Sequence, residues 1–260
     1  MTNIAQLQRL KNSAAEKNYC QSWNAWRKEN PEIKINLSKA NLSYMDLRGV
    51  DLKDAYLREV IMTQSDLRSS DLTQANLCYA MLLQANFSQA IIKKTDLTGA
   101  CLKEADLSKA DLSESNLTEA YLTRAYMIKA YLLDAELVLA DLRGVDLRGG
   151  RLRKADMTKA NLREARLSMA NLSRTTLMGA DLTRASLVGA QMRKANLSFS
   201  NLTETDLRNA YLSKANLSDA NLKKAKLANA YFVGANLSGT LITPGKKETS
   251  EIEIIVPQSC

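Results

Sequence analysis

Histidine is absent from this chain, and without it the commonest general base near neutral pH and the commonest metal ligand are missing. Only four cysteines occur, Cys20, Cys78, Cys101 and Cys260, too scattered for a metal-binding or CxxC spacing and too few to argue for an oxidising compartment. Three prolines in 260 residues, Pro31, Pro244 and Pro257, leave almost the whole middle of the chain without a proline stop. No Gly-rich phosphate loop or dinucleotide fingerprint is present. No basic start followed by an apolar run marks a signal peptide, and no stretch approaches the length of a membrane span. These gaps point away from an enzyme and from any cofactor, and they make the cytoplasm the expected compartment.

What the chain has instead is a period. From Leu37 to Leu237 every fifth residue is Leu, Met, Phe or Ile, with Leu at 34 of 41 positions. Two residues before nearly every large side chain stands a small one, Ala in 28 of the 41. A helix advances about 100° per residue, so a five-residue period would smear the leucines around its axis. A continuous strand fails as well, because an odd period throws successive leucines onto opposite faces. What remains is a solenoid that turns once per repeat and points the large and small residues inward, with Asp, Asn, Ser and Thr bonding the local backbone.

The text Ala-Asp/Asn-Leu-x-x, as in Ala40-Asn41-Leu42-Ser43-Tyr44 and Ala105-Asp106-Leu107-Ser108-Lys109, resembles the pentapeptide repeat family over residues 36–240. The helical start carrying Trp23-x-x-Trp26-Arg27 looks like bacterial, especially cyanobacterial, members. The resemblance implies an all-β solenoid, a right-handed quadrilateral β-helix of about ten coils with each central residue stacked on its counterpart 20 positions away. Under that fold Phe87, Phe232, Met62, Met127, Met157 and Met192 are core residues. The domain reading is a helical N-terminal cap over 1–34, the repeat over 35–240, and a tail over 241–260. Within the tail, Glu251 to Val256 reads as a short strand able to cap the last coil or to pair with a second subunit.

The implied function is a non-enzymatic rigid rod or scaffold that mediates protein–protein interaction with an unidentified partner. One candidate belt is formed by Tyr121, Tyr126, Ile128, Tyr131, Leu133, Val138 and Leu139, apolar residues at outward positions elsewhere polar. The charge is uneven. Residues 36–140 hold 11 basic and 14 acidic residues, and residues 141–240 hold 17 and 8. This gives a second expectation, an anionic partner bound by Arg143, Arg148, Arg151, Arg153, Lys154, Arg163 and Arg166. Their distribution over successive faces, with acids interspersed, disfavours nucleic acid. Some family members protect DNA gyrase by resembling B-DNA, which is a further alternative. Against it stands the net charge of +8, since a DNA-like surface must be densely negative.

Overall fold

The computed structural model describes residues 2–16 and 20–242. Two helices open the chain: α1, Ile4–Ala14, and α2, Gln21–Glu29. Asn3 caps α1 by accepting the Gln6 N–H at 3.1 Å. The helices pack on one another, and Trp23 of α2 is fully buried. Its indole Nε1 donates to the Asp51 carbonyl at 2.8 Å, and its ring meets Trp26 with centroids 5.3 Å apart.

These helices also supply acceptors that the first coil lacks because nothing precedes it. In later coils the N–H of a bridging residue donates to the coil before. At Asn36 the Gln6 Oε1 takes that role at 2.8 Å, and at Asp51 the Asn24 Oδ1 does so at 2.8 Å. Two of the four bridging N–H groups of the first coil are satisfied in this way.

From Ile35 onward one five-residue unit recurs, and its period follows from where each N–H goes. In the unit 36–40, Leu37 N–H donates to the Tyr56 carbonyl at 2.9 Å, Lys39 N–H to the Arg58 carbonyl at 2.9 Å, and Ala40 N–H to the Leu37 carbonyl at 3.0 Å. The Ser38 N–H is taken by the Asn36 Oδ1 at 3.1 Å, while Tyr56 N–H reaches back to the Ile35 carbonyl at 2.8 Å. Where Asp or Asn stands first, all five donors of a repeat inside the stack are satisfied, three between coils, one across the turn and one by the Asx side chain. That last bond is why Asp and Asn dominate the first position.

The fourth residue of every repeat, Lys39 through Gly239, has a positive φ near 60°, as at the third position of a type II turn. Glycine fills eight of these corners and residues as large as Tyr79 and Phe199 fill others. Each non-glycine corner costs about 1–2 kcal/mol, and the hydrogen bond from that same N–H to the next coil opposes the cost.

Parallel bridges join first-position residues 20 apart and fall into four rows. The first runs from Asn41 to Leu241, the second from Asp46 to Lys226, the third from Asp51 to Tyr231, and the fourth from Asn36 to Asn236. Between them lies one continuous core of central Leu, Met, Phe and Ile residues with the small residues beside them. Met62, Met127, Met157, Met192, Phe87 and Phe232 all belong to it. Where Ser or Thr replaces Ala, the buried hydroxyl is bonded, as from Ser70 Oγ to the Leu67 carbonyl at 2.6 Å.

The expected all-β class and its quadrilateral β-helix require correction. Among the described residues there is no β-strand and no sheet; the helices α1 and α2 are the regular elements, and every bridge is isolated. The five-residue period is the reason. Turns begin directly after the central residue, so only one residue per repeat pairs, and a strand needs consecutive paired residues. The product is a stack of single-residue bridges and turns. The rod, scaffold and gyrase-protecting readings assumed a strand-built β-helix and lose their basis with it. The expected strand at 251–256 and self-association through the tail lie outside the described residues.

Candidate interaction surface

Three outward positions per repeat carry whatever recognition the molecule has: the bridging residue and the two turn residues. In the first row the bridging residues over four consecutive coils are Ile61, Met81, Cys101 and Tyr121, bounded by Asn41 and Asp141. Met81 is 52% exposed and Tyr121 56%, with Ile61, Cys101 and the neighbouring turn residue Leu83 half-buried. Along the adjoining corner runs a hydrogen-bonded ladder, Gln64 Nε2 to Gln84 Oε1 at 2.7 Å and Gln84 Nε2 to Glu104 Oε2 at 2.8 Å. An apolar strip edged by an ordered polar rail has the layout of an interface core and rim.

The belt expected from sequence occupies a single 20-residue coil. Tyr121 lies in the first row, Tyr126 with Ile128 in the second, Tyr131 with Leu133 in the third, and Val138 with Leu139 in the fourth. The three tyrosines, Leu133 and Leu139 are exposed, whereas Ile128 and Val138 are half-buried. The belt encircles the stack, and its members do not share one face. Tyr131 is partly covered by the Arg151 guanidinium, 4.7 Å from its ring centroid. Tyr121 is where the belt crosses the apolar strip of the first row.

The expected anionic-partner patch is also dispersed. Arg143 and Arg163 belong to first-row repeats, Arg148 and Arg166 to the second, and Arg151, Arg153 and Lys154 to the third. Most are neutralised where they stand. Arg143 clasps Asp141 through Nε at 2.8 Å and Nη2 at 2.6 Å, and Arg148 clasps Asp146 at 2.8 and 2.7 Å. Arg166 lies 3.5 Å from Asp146, Arg163 3.3 Å from Asp181, and Lys154 3.5 Å from Asp134. Those five cations belong to Asp-Leu-Arg clasps and inter-coil pairs, so the seven residues do not form one anion site; Arg151 lies over the Tyr131 ring, and Arg153 has no carboxylate within 4.0 Å among the described residues.

The same pairing governs the carboxylates. The Arg143 bond holds the Asp141 carboxyl below the usual carboxylate range. Burial pushes Asp146 up, but its hydrogen bonds from Arg148 and the charge of Arg166 leave it lowered overall. Asp96, desolvated in the same sense, is also lowered by bonds from Cys78 and Thr98. Repeated carboxyls fixed in the ionised form hold turns and cannot serve as proton donors near neutral pH. Burial pushes the Cys20 and Cys78 thiols up to about 11, so neither is a ready nucleophile. Among the described residues no group of His, Cys, Asp and Glu could hold a metal ion.

Sequence reading missed the first-row strip because its members lie 20 residues apart. A scan at that stride would have found it.

A bridge-and-turn repeat with a Leu core and an Asx clasp at each turn defines a repeat class by its residues. The family profile described as Pentapeptide repeats matches in eight copies, over residues 35–74, 70–108, 105–144, 140–179, 160–198 and 200–239. The chain belongs to the pentapeptide repeat family. Among solved structures it is similar to HetL, a pentapeptide repeat protein involved in heterocyst differentiation regulation from the cyanobacterium Nostoc sp. strain PCC 7120. The identity is 29%, covering 87% of this chain and 98% of that one, with a TM-score of 0.29. It is also similar to full-length QnrB1, a plasmid-mediated fluoroquinolone resistance protein, at 15% identity over 80% and 91% of the two chains, TM-score 0.38. A pentapeptide repeat protein of the Arabidopsis thaliana thylakoid lumen shares 32% identity over 38% of this chain and 66% of its own, TM-score 0.25. At these TM-scores the likenesses carry no argument. No curated protein matches the chain. Among the described residues no helix is long and apolar enough to cross a membrane.

Proposed function

We propose that this protein is a non-catalytic, cytoplasmic binding module for another protein, which docks on the first-row strip around Met81, Cys101 and Tyr121. One observation carries the reading: four consecutive coils present apolar bridging residues on one row, with Met81 and Tyr121 more than half exposed. Contiguous exposed apolar surface with a polar border marks interaction sites more often than scattered apolar residues do. The partner that fits presents apolar side chains for the strip and an amide or cationic rim for the Gln64–Gln84–Glu104 rail. A non-catalytic role is supported by carboxylates committed to turns and clasps. The free thiols of Cys20, Cys78 and Cys101 accord with a reducing compartment.

The test is cross-linking mass spectrometry on immobilised native protein, the Met81→Lys/Tyr121→Lys variant, and the Leu133→Lys variant, each presented with extract of its source cells. The reading expects a protein cross-linked at the first row, kept by Leu133→Lys and lost by the double variant. Loss of the reading follows if the native protein retains no protein, or if the folded double variant retains the same one.

A further inference from the structure

We infer that the third row and the corner after it form a track for single-stranded nucleic acid, separate from the protein-docking strip. Read along the chain, the basic residues scatter; read at the 20-residue stride of the bridges, a different set converges. The third-row repeats beginning at Arg151, Asn171, Gln191, Tyr211 and Tyr231 contain no Asp or Glu. On their shared corner stand Arg153, Arg174, Arg193, Lys194 and Lys214, all exposed.

Among the described residues these five cations stand on one corner without a carboxylate partner, as Arg124, Lys129 and Lys159 do singly on other corners. Among the described residues no carboxylate lies within 4.0 Å of any of them, whereas Lys154, just below, is held by Asp134, and Arg184 on the first row by Glu204 at 2.8 Å. The acids nearest in the repeat pattern are on flanking rows: Asp156 and Asp219 on the fourth, and Asp146 and Asp206 on the second, where Arg148 and Arg208 clasp them, each at 2.7 Å. An uncompensated row of one sign is the electrostatic footprint of a polyanion site.

Beside this corner, the bridging residues supply a second track. Asn171 and Gln191 offer amides, and then Tyr211 and Tyr231 follow, 53% and 50% exposed and stacked with ring centroids 6.1 Å apart. Phosphates along the corner would place bases over the row, where amides bond base edges and tyrosine rings extend the stack. Acidic peptides and lipid headgroups have no use for the tyrosine pair. Coils repeat at about 4.8 Å, wider than the roughly 3.4 Å phosphate spacing per strand of B-DNA. The track therefore suits a stretched single strand better than a duplex.

The experiment is fluorescence anisotropy of labelled oligo-dT and oligo-rU with the full chain, between about 50 and 200 mM salt, with unlabelled polyphosphate and duplex DNA as competitors. Five phosphate contacts predict a log–log salt slope of about −3.5, and Arg174→Gln/Lys194→Gln/Lys214→Gln reduces it to about −1.4. Tyr211→Ala/Tyr231→Ala weakens binding about ten-fold or more at unchanged slope, a split that a purely electrostatic site does not give. Oligo-dT against oligo-rU distinguishes DNA from RNA, and binding of either supports the track. Arg174→Lys/Arg193→Lys, which keeps the charge, binds as the native protein does, and far-UV circular dichroism confirms that each variant is folded. No binding by the native chain at about 50 mM salt overturns the inference. So does competition by polyphosphate as strong as by oligonucleotide together with an intact response of the tyrosine variant, or capture by phosphatidylserine vesicles in place of the oligonucleotides.

Discussion

Replacing Asp146 tests whether the Asx clasp holds each coil to its turn. This carboxylate is only 5% exposed, and it accepts the Arg148 N–H at 3.3 Å and the Arg148 guanidinium at 2.8 and 2.7 Å, with Arg166 3.5 Å away. Asp146→Ala removes the turn's side-chain acceptor and both charge pairs. A lost hydrogen bond to a half-buried N–H is worth about 1 kcal/mol and the partly exposed ion pairs about another 1 kcal/mol together, so about 2 kcal/mol of stability should go. Asp146→Asn keeps the acceptor and should cost about 1 kcal/mol. The carboxyl is lowered from 3.8 in the folded chain, so its contribution is complete above that value and declines as pH falls toward the folded pKa. The stability gap between native protein and Asp146→Asn should therefore be constant from pH 7 to about pH 5 and shrink under stronger acid. Urea denaturation followed by circular dichroism at several pH values measures both. The reasoning is refuted if Asp146→Ala unfolds at the native midpoint, or if the Asn variant is as damaged as the Ala variant at neutral pH.

The other predictions concern the cap, the corners and the thiols. Trp23→Ala should cost about 3–5 kcal/mol and loosen the first coils before the later ones, read as early loss of protection at the Asp51 amide, which donates to Asn24 of the same helix. Gly99→Ala should destabilise more than Gly49→Ala: both have positive φ, but the new methyl at Gly99 would sit 2.6 Å from the Tyr79 ring, while at Gly49 it meets open space. For Gly49 the cost should be about 1 kcal/mol, and equal denaturation midpoints for the two variants would contradict the corner account. Cys20 and Cys78, with pKa values of about 11, should resist iodoacetamide at pH 8 until the chain is unfolded; peptide mapping that finds either alkylated in the native protein would count against the burial described.

The core was legible in the sequence because it is periodic. The five-residue spacing identifies Leu42 or Leu147 as inward without knowledge of the fold, and it correctly excludes a binding role for Phe87, which is buried in the same column. The step from inward residues to β-strands failed, because a repeat can bury a column and pair between coils while placing only one residue in each bridge. The candidate surfaces were less legible. Tyr121, Tyr126 and Tyr131 are neighbours in sequence but belong to different rows, while Ile61, Met81, Cys101 and Tyr121 are distant in sequence and share one. Charge misled in the same way. Arg143 and Arg148 stand out in the local text, yet the clasps on Asp141 and Asp146 neutralise them. Arg174, Lys194 and Lys214, which have no carboxylate within 4.0 Å among the described residues, stand apart in sequence and come together only through the bridges.

Residue-resolved amide hydrogen exchange tests the central claim, that the repeats are single-residue bridges stacked at a 20-residue stride. The coil containing the three tyrosines is the most informative. Tyr121, Leu122, Arg124 and Ala125 donate to the backbone, at 2.9, 2.7, 2.9 and 3.0 Å, whereas the third residue of each repeat depends on an Asx side chain that tyrosine cannot replace. The amides of those four should exchange slowly, and those of Thr123, Ile128 and Leu133 quickly, giving one fast amide every five residues. Unbroken protection across Tyr121 to Ala125 would mean a continuous strand, and rapid exchange at all five would mean that the coils do not stack; either pattern contradicts the account.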